Sequence, residues 1–339
     1  MPYRRLLLPN GGGPFVEFGP VRRPGTPSHY HFPLGPQAPS GPTGPLNQAK
    51  GPKLCHGLYW ARPINPDDWR PIVPKAPING IDLYYESHGD DSAPAIVFAH
   101  GRGGNHMSWW QQVAAFSGEY RCITFDHRGW GASIAEHGSP LRENFVADLT
   151  ALLDYLKIDK TFLVAQSMGG FCCLGFALAH PERTLGLVLG DTTGGVATEG
   201  TLAALQNTNP PPDGPARSLA ASFIEENPAL TFLYQQINGL NPPRGEDGVI
   251  SGFRLKDGPN VESFAGWQIP TLLIVGKEDV IFPPEVIAEV QKVIPGSRME
   301  VIPGSAHSAH FEKAEIFNGY LAELFGSVLN GSAAGAAAD

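Results

Sequence analysis

Five short, unbroken apolar runs, Ala95–Ala99, Cys122–Phe125, Phe162–Ala165, Gly186–Leu189 and Thr271–Val275, constrain this chain more than any other feature. A strand with one face in water alternates apolar and polar residues. A run without alternation needs cover on both faces, as in a parallel sheet. The stretches between the runs carry a different period. Phe145, Leu149, Leu152, Leu153 and Leu156 share one face at 3.6 residues per turn, and so do Phe317, Leu321, Leu324 and Phe325. Strands alternating with helices read as βαβ units, so the expected fold class is α/β: a mostly parallel twisted sheet with helices on both faces. Ahead of the first run, Asn79-Gly80 between Ile78 and Ile81 reads as the tight turn of a hairpin, since both residue types accept positive φ.

The regular pattern starts at residue 76. Residues 1–75 are rich in Gly and Pro, with runs such as Pro36-Gln37-Ala38-Pro39-Ser40-Gly41-Pro42 that can hold neither a helix nor a sheet ladder. A disordered extension is expected there. It holds nine Lys and Arg against three acids, leaving fifteen against thirty for the rest of the chain. Residues 195–265 break the strand–helix rhythm and are richer in Pro, Asn and scattered aromatics, among them Phe223, Phe232, Tyr234, Phe253 and Phe264. They read as a largely helical, lid-like insertion between two core segments, 76–194 and 266–328. A flexible Ala/Gly tail is expected at 329–339.

A net charge of −9 argues against a nucleic-acid partner, whose binding surface must be basic. No apolar run approaches the ~20 residues of a membrane span. The four cysteines, Cys55, Cys122, Cys172 and Cys173, form neither a zinc spacing nor a plausible disulfide framework. A reduced, cytoplasmic protein is expected, while length and charge leave its oligomeric state open. Gly101-x-Gly103 lacks the third glycine of a dinucleotide loop, because position 106 is His. With no metal motif either, no cofactor is expected.

The chemistry concentrates at three places. Thr161-Phe162-Leu163-Val164-Ala165-Gln166-Ser167-Met168-Gly169-Gly170 runs from an apolar strand through a serine with small neighbours at −2 and +2 into a helix. That is the pattern of a nucleophile elbow, where only small flanking residues avoid a clash, although Ala165 stands where glycine is usual. A serine nucleophile needs a base, and the base an orienting acid. Asp279 follows the strand Thr271–Val275, in Gly276-x-x-Asp279-x-x-x-Pro283. His307 follows an expected strand near Met299–Ile302, in Gly304-Ser305-Ala306-His307. All three would lie at strand carboxyl ends, where open α/β sheets gather their ligands. His310 is a rival base and Asp191, after Gly186–Gly190, a rival acid.

These residues resemble the α/β-hydrolase superfamily, with its esterases, enol-lactonases, haloperoxidases and epoxide hydrolases. Three further stretches carry the resemblance: His100-Gly101-Arg102-Gly103-Gly104-Asn105, Asp126-His127-Arg128-Gly129-Trp130-Gly131-Ala132-Ser133 and Ala179-His180-Pro181-Glu182-Arg183. It covers about residues 76–328. It implies Ser167 as nucleophile, His307 as general base, Asp279 as its orienter, and the backbone N–H groups of Arg102 and Met168 as the oxyanion hole. It also implies that epoxide hydrolases and haloalkane dehalogenases, which carry Asp at the serine position, are not the relevant chemistry. Asp126 and Arg128 are expected to fix a turn, and Trp109, Trp110, Cys172 and Cys173 to pack.

The expected activity is serine-dependent hydrolysis of a small or medium apolar carboxylic ester or lactone through an acyl-enzyme. Two alternatives stand beside it. One is carbon–carbon hydrolysis of dienone acids, which would want cations from Arg217, Arg244, Arg254 or Lys256. The other is a hydrolase-fold receptor with slow turnover.

Overall fold

The computed structural model describes residues 74–135, 144–212, 214–242 and 257–336, all within the unit Asn65–Asp339. The extension expected at 1–75, except its last two residues, lies outside the described residues, as do Arg244, Phe253, Arg254 and Lys256.

Eight strands form one sheet: β1 (Lys75–Ile78), β2 (Ile81–His88), β3 (Ala95–Ala99), β4 (Arg121–Phe125), β5 (Thr161–Gln166), β6 (Thr184–Gly190), β7 (Thr271–Gly276) and β8 (Arg298–Ile302). Their spatial order is β1-β2-β4-β3-β5-β6-β7-β8. The β1–β2 and β2–β4 pairs are antiparallel and every other pair is parallel. Each apolar run is a strand, within two residues of its expected bounds. Asn79 and Gly80 close the first hairpin at φ 46° and 78°. Register places Ala99 opposite Ala165, and Ala165 opposite Leu189, so the carboxyl ends of β3, β5 and β6 lie side by side.

The helices among the described residues are α1 (Trp110–Phe116), α2 (Phe145–Tyr155), α3 (Gly169–Ala179), α4 (Glu199–Gln206), α5 (Ala221–Glu226), α6 (Pro228–Gly239), α7 (Pro284–Gln291), α8 (Ala309–Glu312) and α9 (Ala314–Ala336). Because successive strand side chains point to opposite faces, the unbroken runs supply two cores. Val97, Leu163, Leu187 and Leu273 pack against Leu149 and Leu152 of α2, Phe176 of α3 and Ile287 of α7. Ile96, Phe98, Phe162, Val164 and Ile274 pack on the other face against Trp109, Phe116 of α1, and Phe317, Leu321 and Phe325 of α9. Truncating any of these large side chains to Ala is worth roughly 2–5 kcal/mol.

Helix α9 continues to Ala336, into the stretch 329–339 where the sequence suggests a flexible tail. One expectation needs correction. Trp109 packs as expected, but Trp110 is 43% exposed, because it starts α1 on the face turned away from the sheet. The turn after β4 matches its expected structural role. Arg128 grips Asp148 through Nε and Nη2 at 2.8 and 2.6 Å, while Asp126 accepts the N–H groups of His106 and Ala132. Cys172 and Cys173 are buried behind the sheet.

Candidate active site

Ser167 follows the last residue of β5 with φ 49°, a left-handed conformation costing a non-glycine residue about 1–3 kcal/mol. Its surroundings hold it there. Its N–H donates to the Gly190 carbonyl at 3.0 Å, and its own carbonyl accepts from Thr192 Oγ1 at 2.6 Å and from the Gly170 N–H at 2.9 Å. The small residues that follow are required by contact. A Cβ on Gly169 would strike the Ala99 carbonyl, and one on Gly170 would strike the Thr192 side chain.

Ser167 Oγ lies 2.8 Å from His307 Nε2, and His307 Nδ1 lies 2.8 Å from Asp279 Oδ2. A carboxylate can only accept, so the proton sits on Nδ1 and leaves Nε2 with a lone pair toward the serine hydroxyl. The other Asp279 oxygen accepts the N–H groups of Ile281 and Phe282 at 2.7 and 3.0 Å, which fixes the carboxylate's orientation. Burial alone would depress the His307 pKa; the charge and hydrogen bond of Asp279, with help from Asp191, more than reverse this, while Arg217 opposes them. The imidazole therefore stands above its ordinary value.

The loop after β3 is pressed against the elbow. A side chain at Gly101 would run into the Gln166 carboxamide. His100 fixes the loop's start, with Nδ1 at 2.8 Å from the Gly101 carbonyl and Nε2 accepting the His127 N–H at 3.0 Å. Trp130 Nε1 donates to the Arg102 carbonyl at 2.9 Å. Arg102 and Met168 both line the pocket that opens on Ser167. No acceptor among the described residues takes the Met168 N–H.

The rivals sit elsewhere. His310 is buried with its ring 4.5 Å from that of Trp109, and burial plus the His307 charge push it down to about 3. Asp191, also at positive φ, accepts the N–H of Gly276 at 2.8 Å and that of Ala309 at 3.0 Å. It thus ties the end of β7 to α8. Burial and the neighbouring Asp279 raise its pKa to about 8.

Several contacts at the site have no counterpart in the sequence reading. Gln166 Nε2 donates to the His307 carbonyl at 2.6 Å, joining elbow to histidine loop. Glu312 accepts the Ala306 N–H at 2.8 Å and the Ala220 N–H at 2.7 Å. Tyr234 Oη and Ser308 Oγ are 2.9 Å apart. Their signals were weak because each depends on a long-range approach between segments with no shared motif.

The segment between β6 and β7 supplies α4, α5 and α6. It is tied to the loop after β3, where Asn105 Nδ2 donates to the Ile237 carbonyl at 2.7 Å and Asn241 Nδ2 to that of Gly104 at 3.2 Å. Beneath it opens a pocket of 670 Å³ with Ser167 and His307 in its wall. Pro212, Pro215 and Phe282 supply apolar surface there, and Arg217, Ser218, Gln235 and Asn238 supply polar surface. The lining is therefore mixed, apolar and polar. Among the described residues no group of three or more His, Cys, Asp or Glu side chains is placed to hold a metal ion.

Comparison with known proteins agrees with the fold. The chain is 28% identical over 256 residues to 3-oxoadipate enol-lactonase 1 of Acinetobacter baylyi, covering 72% of this chain and 95% of that protein. It is 29% identical over 261 residues to the 2-hydroxy-6-oxononadienedioate/2-hydroxy-6-oxononatrienedioate hydrolase of Burkholderia vietnamiensis, covering 71% and 90%. The solved structure of a thermophilic esterase from Thermogutta terrifontis superposes with a TM-score of 0.62 at 25% identity, covering 76% and 97%. The sequence pattern described as the alpha/beta hydrolase fold matches residues 94–314, and with that match this chain belongs to the α/β-hydrolase fold family.

Proposed function

We propose that this chain is a serine hydrolase that cleaves a carboxylic ester or lactone through an acyl-enzyme. One observation carries the reading: serine, imidazole and carboxylate form a continuous chain with two 2.8 Å links, inside a pocket large enough for a small molecule. Ser167 Oγ attacks the substrate carbonyl carbon as His307 Nε2 takes its proton. The tetrahedral oxyanion is held by the backbone N–H groups of Arg102 and Met168, each such donor being worth about 3 kcal/mol in the transition state. The intermediate collapses, the C–O bond breaks, and the imidazolium returns the proton to the departing alkoxide. A water, deprotonated by the same imidazole, then adds to the ester on Ser167 and releases the acid. In a lactone the alcohol and acid are two ends of one product.

Residues 195–265 serve in this reading as the lid that closes the pocket over the acyl group. The enol-lactonase and the esterase among the relatives support the reaction class. The test is hydrolysis of p-nitrophenyl esters of increasing acyl length beside a set of lactones, with wild type and Ser167→Ala in parallel. Serine-dependent turnover of one class is expected. Equal turnover by both proteins on every substrate would sink the proposal.

A further inference from the structure

Among the described residues, the ionisable side chains that line the pocket, apart from Tyr234, are Arg102, Arg217 and His307, and none is a carboxylate. This is unexpected on charge grounds, because the chain outside residues 1–75 carries thirty acids against fifteen Lys and Arg. Two guanidinium groups have been brought to the one concavity that also holds the serine. Arg217 is partly buried, and no carboxylate lies within ion-pair distance of it among the described residues. One of its N–H groups donates to the Pro211 carbonyl, which anchors the planar, five-donor guanidinium fork. The backbone beneath is stiff: Pro215 opens the short turn Pro215–Arg217, directly after Gly214 at φ 89°. A cation held this way is preorganised, and focusing in a concave pocket raises its attraction for anions.

We propose that Arg217, together with Arg102, forms an anion subsite, and that the natural ester or lactone bears a carboxylate at the end remote from the scissile bond. The inference rests on the hydrolase reading above and narrows it. Ser218, Gln235 and Asn238 in the same wall offer further hydrogen-bonding groups to such a carboxylate, while Met168, Phe171, Ile281 and Phe282 give apolar contact to the carbon chain between. An Arg–carboxylate pair is bidentate and directional, so a carboxylate on the substrate would fix the acyl chain as well as attract it.

The experiment compares monomethyl adipate with methyl adipamate, its neutral carboxamide isostere, by proton release and chromatography of the acid formed, using the full chain. A charge-assisted pair predicts kcat/KM about ten- to a hundredfold higher for the carboxylate substrate. The ratio should collapse toward one in Arg217→Gln, recover in part in Arg217→Lys, and invert in Arg217→Glu when methyl 6-aminohexanoate replaces the anionic ester. A wild-type ratio near one, or a ratio untouched by Arg217→Gln, overturns the subsite and leaves serine hydrolysis standing. If none of these esters is cleaved in a Ser167-dependent way, calorimetric binding of adipate to Ser167→Ala decides. Binding abolished by Arg217→Gln upholds the subsite while the hydrolase reading fails, and no binding overturns both.

Discussion

The Glu312 carboxylate accepts the N–H of Ala220, the residue that leads α5, at 2.7 Å; through its other oxygen it accepts the N–H of Ala306, next to His307, at 2.8 Å. One buried side chain thus joins the segment between β6 and β7 to the loop that carries His307. Burial raises its pKa to about 7, against the pull of these N–H groups. Raised above the ordinary value of an unfolded glutamate, the group holds a proton in the native state that the unfolded chain has released. It therefore costs stability as pH climbs from about 4.5 to 7, on the order of 3 kcal/mol in full. Glu312→Gln removes the titration and adds a pH-independent penalty of about 1–3 kcal/mol, since an amide N–H must face a backbone donor. Denaturant unfolding at several pH values should therefore show the gap between wild type and Glu312→Gln narrowing as pH rises. A gap constant from pH 4.5 to 8 would refute this account.

Asp279 and Asp191 divide their work by contact. Only Asp279 touches the imidazole, whereas Asp191 spends its oxygens on Gly276 and Ala309. Asp279→Asn removes the charge that stabilises the imidazolium and permits the wrong tautomer, which should lower kcat by about 10³–10⁴-fold. Asp191→Asn should act through loop placement and cost at least tenfold less. The reverse order in steady-state kinetics would make Asp191 the functional acid.

Much of this was legible in the sequence, for reasons visible in the structure. The strands could be read because both faces of the sheet are covered, so no polar residue interrupts Ala95–Ala99 or Thr271–Val275. Ser167, Asp279 and His307 could be read because each lies in a short segment whose turn geometry restricts its neighbours. Asp191 could be noticed at a strand end, but its partners could not. Glu312, Gln166 and Tyr234 were silent, since a glutamate on a helix looks the same whether it faces water or two backbone N–H groups from distant segments. Arg102 and Arg217 could each be noticed, but that both side chains line one pocket could not, because the lining depends on how the segment between β6 and β7 packs.

The raised His307 pKa sets the acid limb of the pH–rate profile. The imidazole must be neutral to accept the serine proton, so kcat/KM should fall on acidification through a pKa above 6.5. The contributors predict how that limb moves. Asp279→Asn removes a stabilising negative charge and should shift it to lower pH, whereas Asp191, largely protonated below its raised pKa of about 8, contributes less and Asp191→Asn should shift it little. Arg217→Gln removes an opposing positive charge and should shift it to higher pH. Profiles on one neutral ester check all three, and a limb that stays in place in every variant would mean that another group controls it.

Two glycines separate crowding from conformational cost. Gly326 lies on α9 with nothing within 4 Å of an added Cβ, so Gly326→Ala should gain the usual helix preference, about 0.5–1 kcal/mol. Gly169 starts α3, and the same preference would favour alanine there. The Ala99 carbonyl stands in the way, and a backbone oxygen in the middle of the sheet cannot rotate aside as a side chain would. Overpacking of this kind costs about 1–3 kcal/mol, which outweighs the helical gain. Any relief must come from moving α3 away from β3. Because Met168 sits at that helix start, the shift would also displace its N–H from the developing oxyanion. Gly169→Ala should thus lower both the denaturant midpoint and kcat, whereas Gly326→Ala should raise the midpoint and leave kcat alone. Gly169→Ala with wild-type stability would show that the helix start is less tightly packed than the Ala99 contact requires.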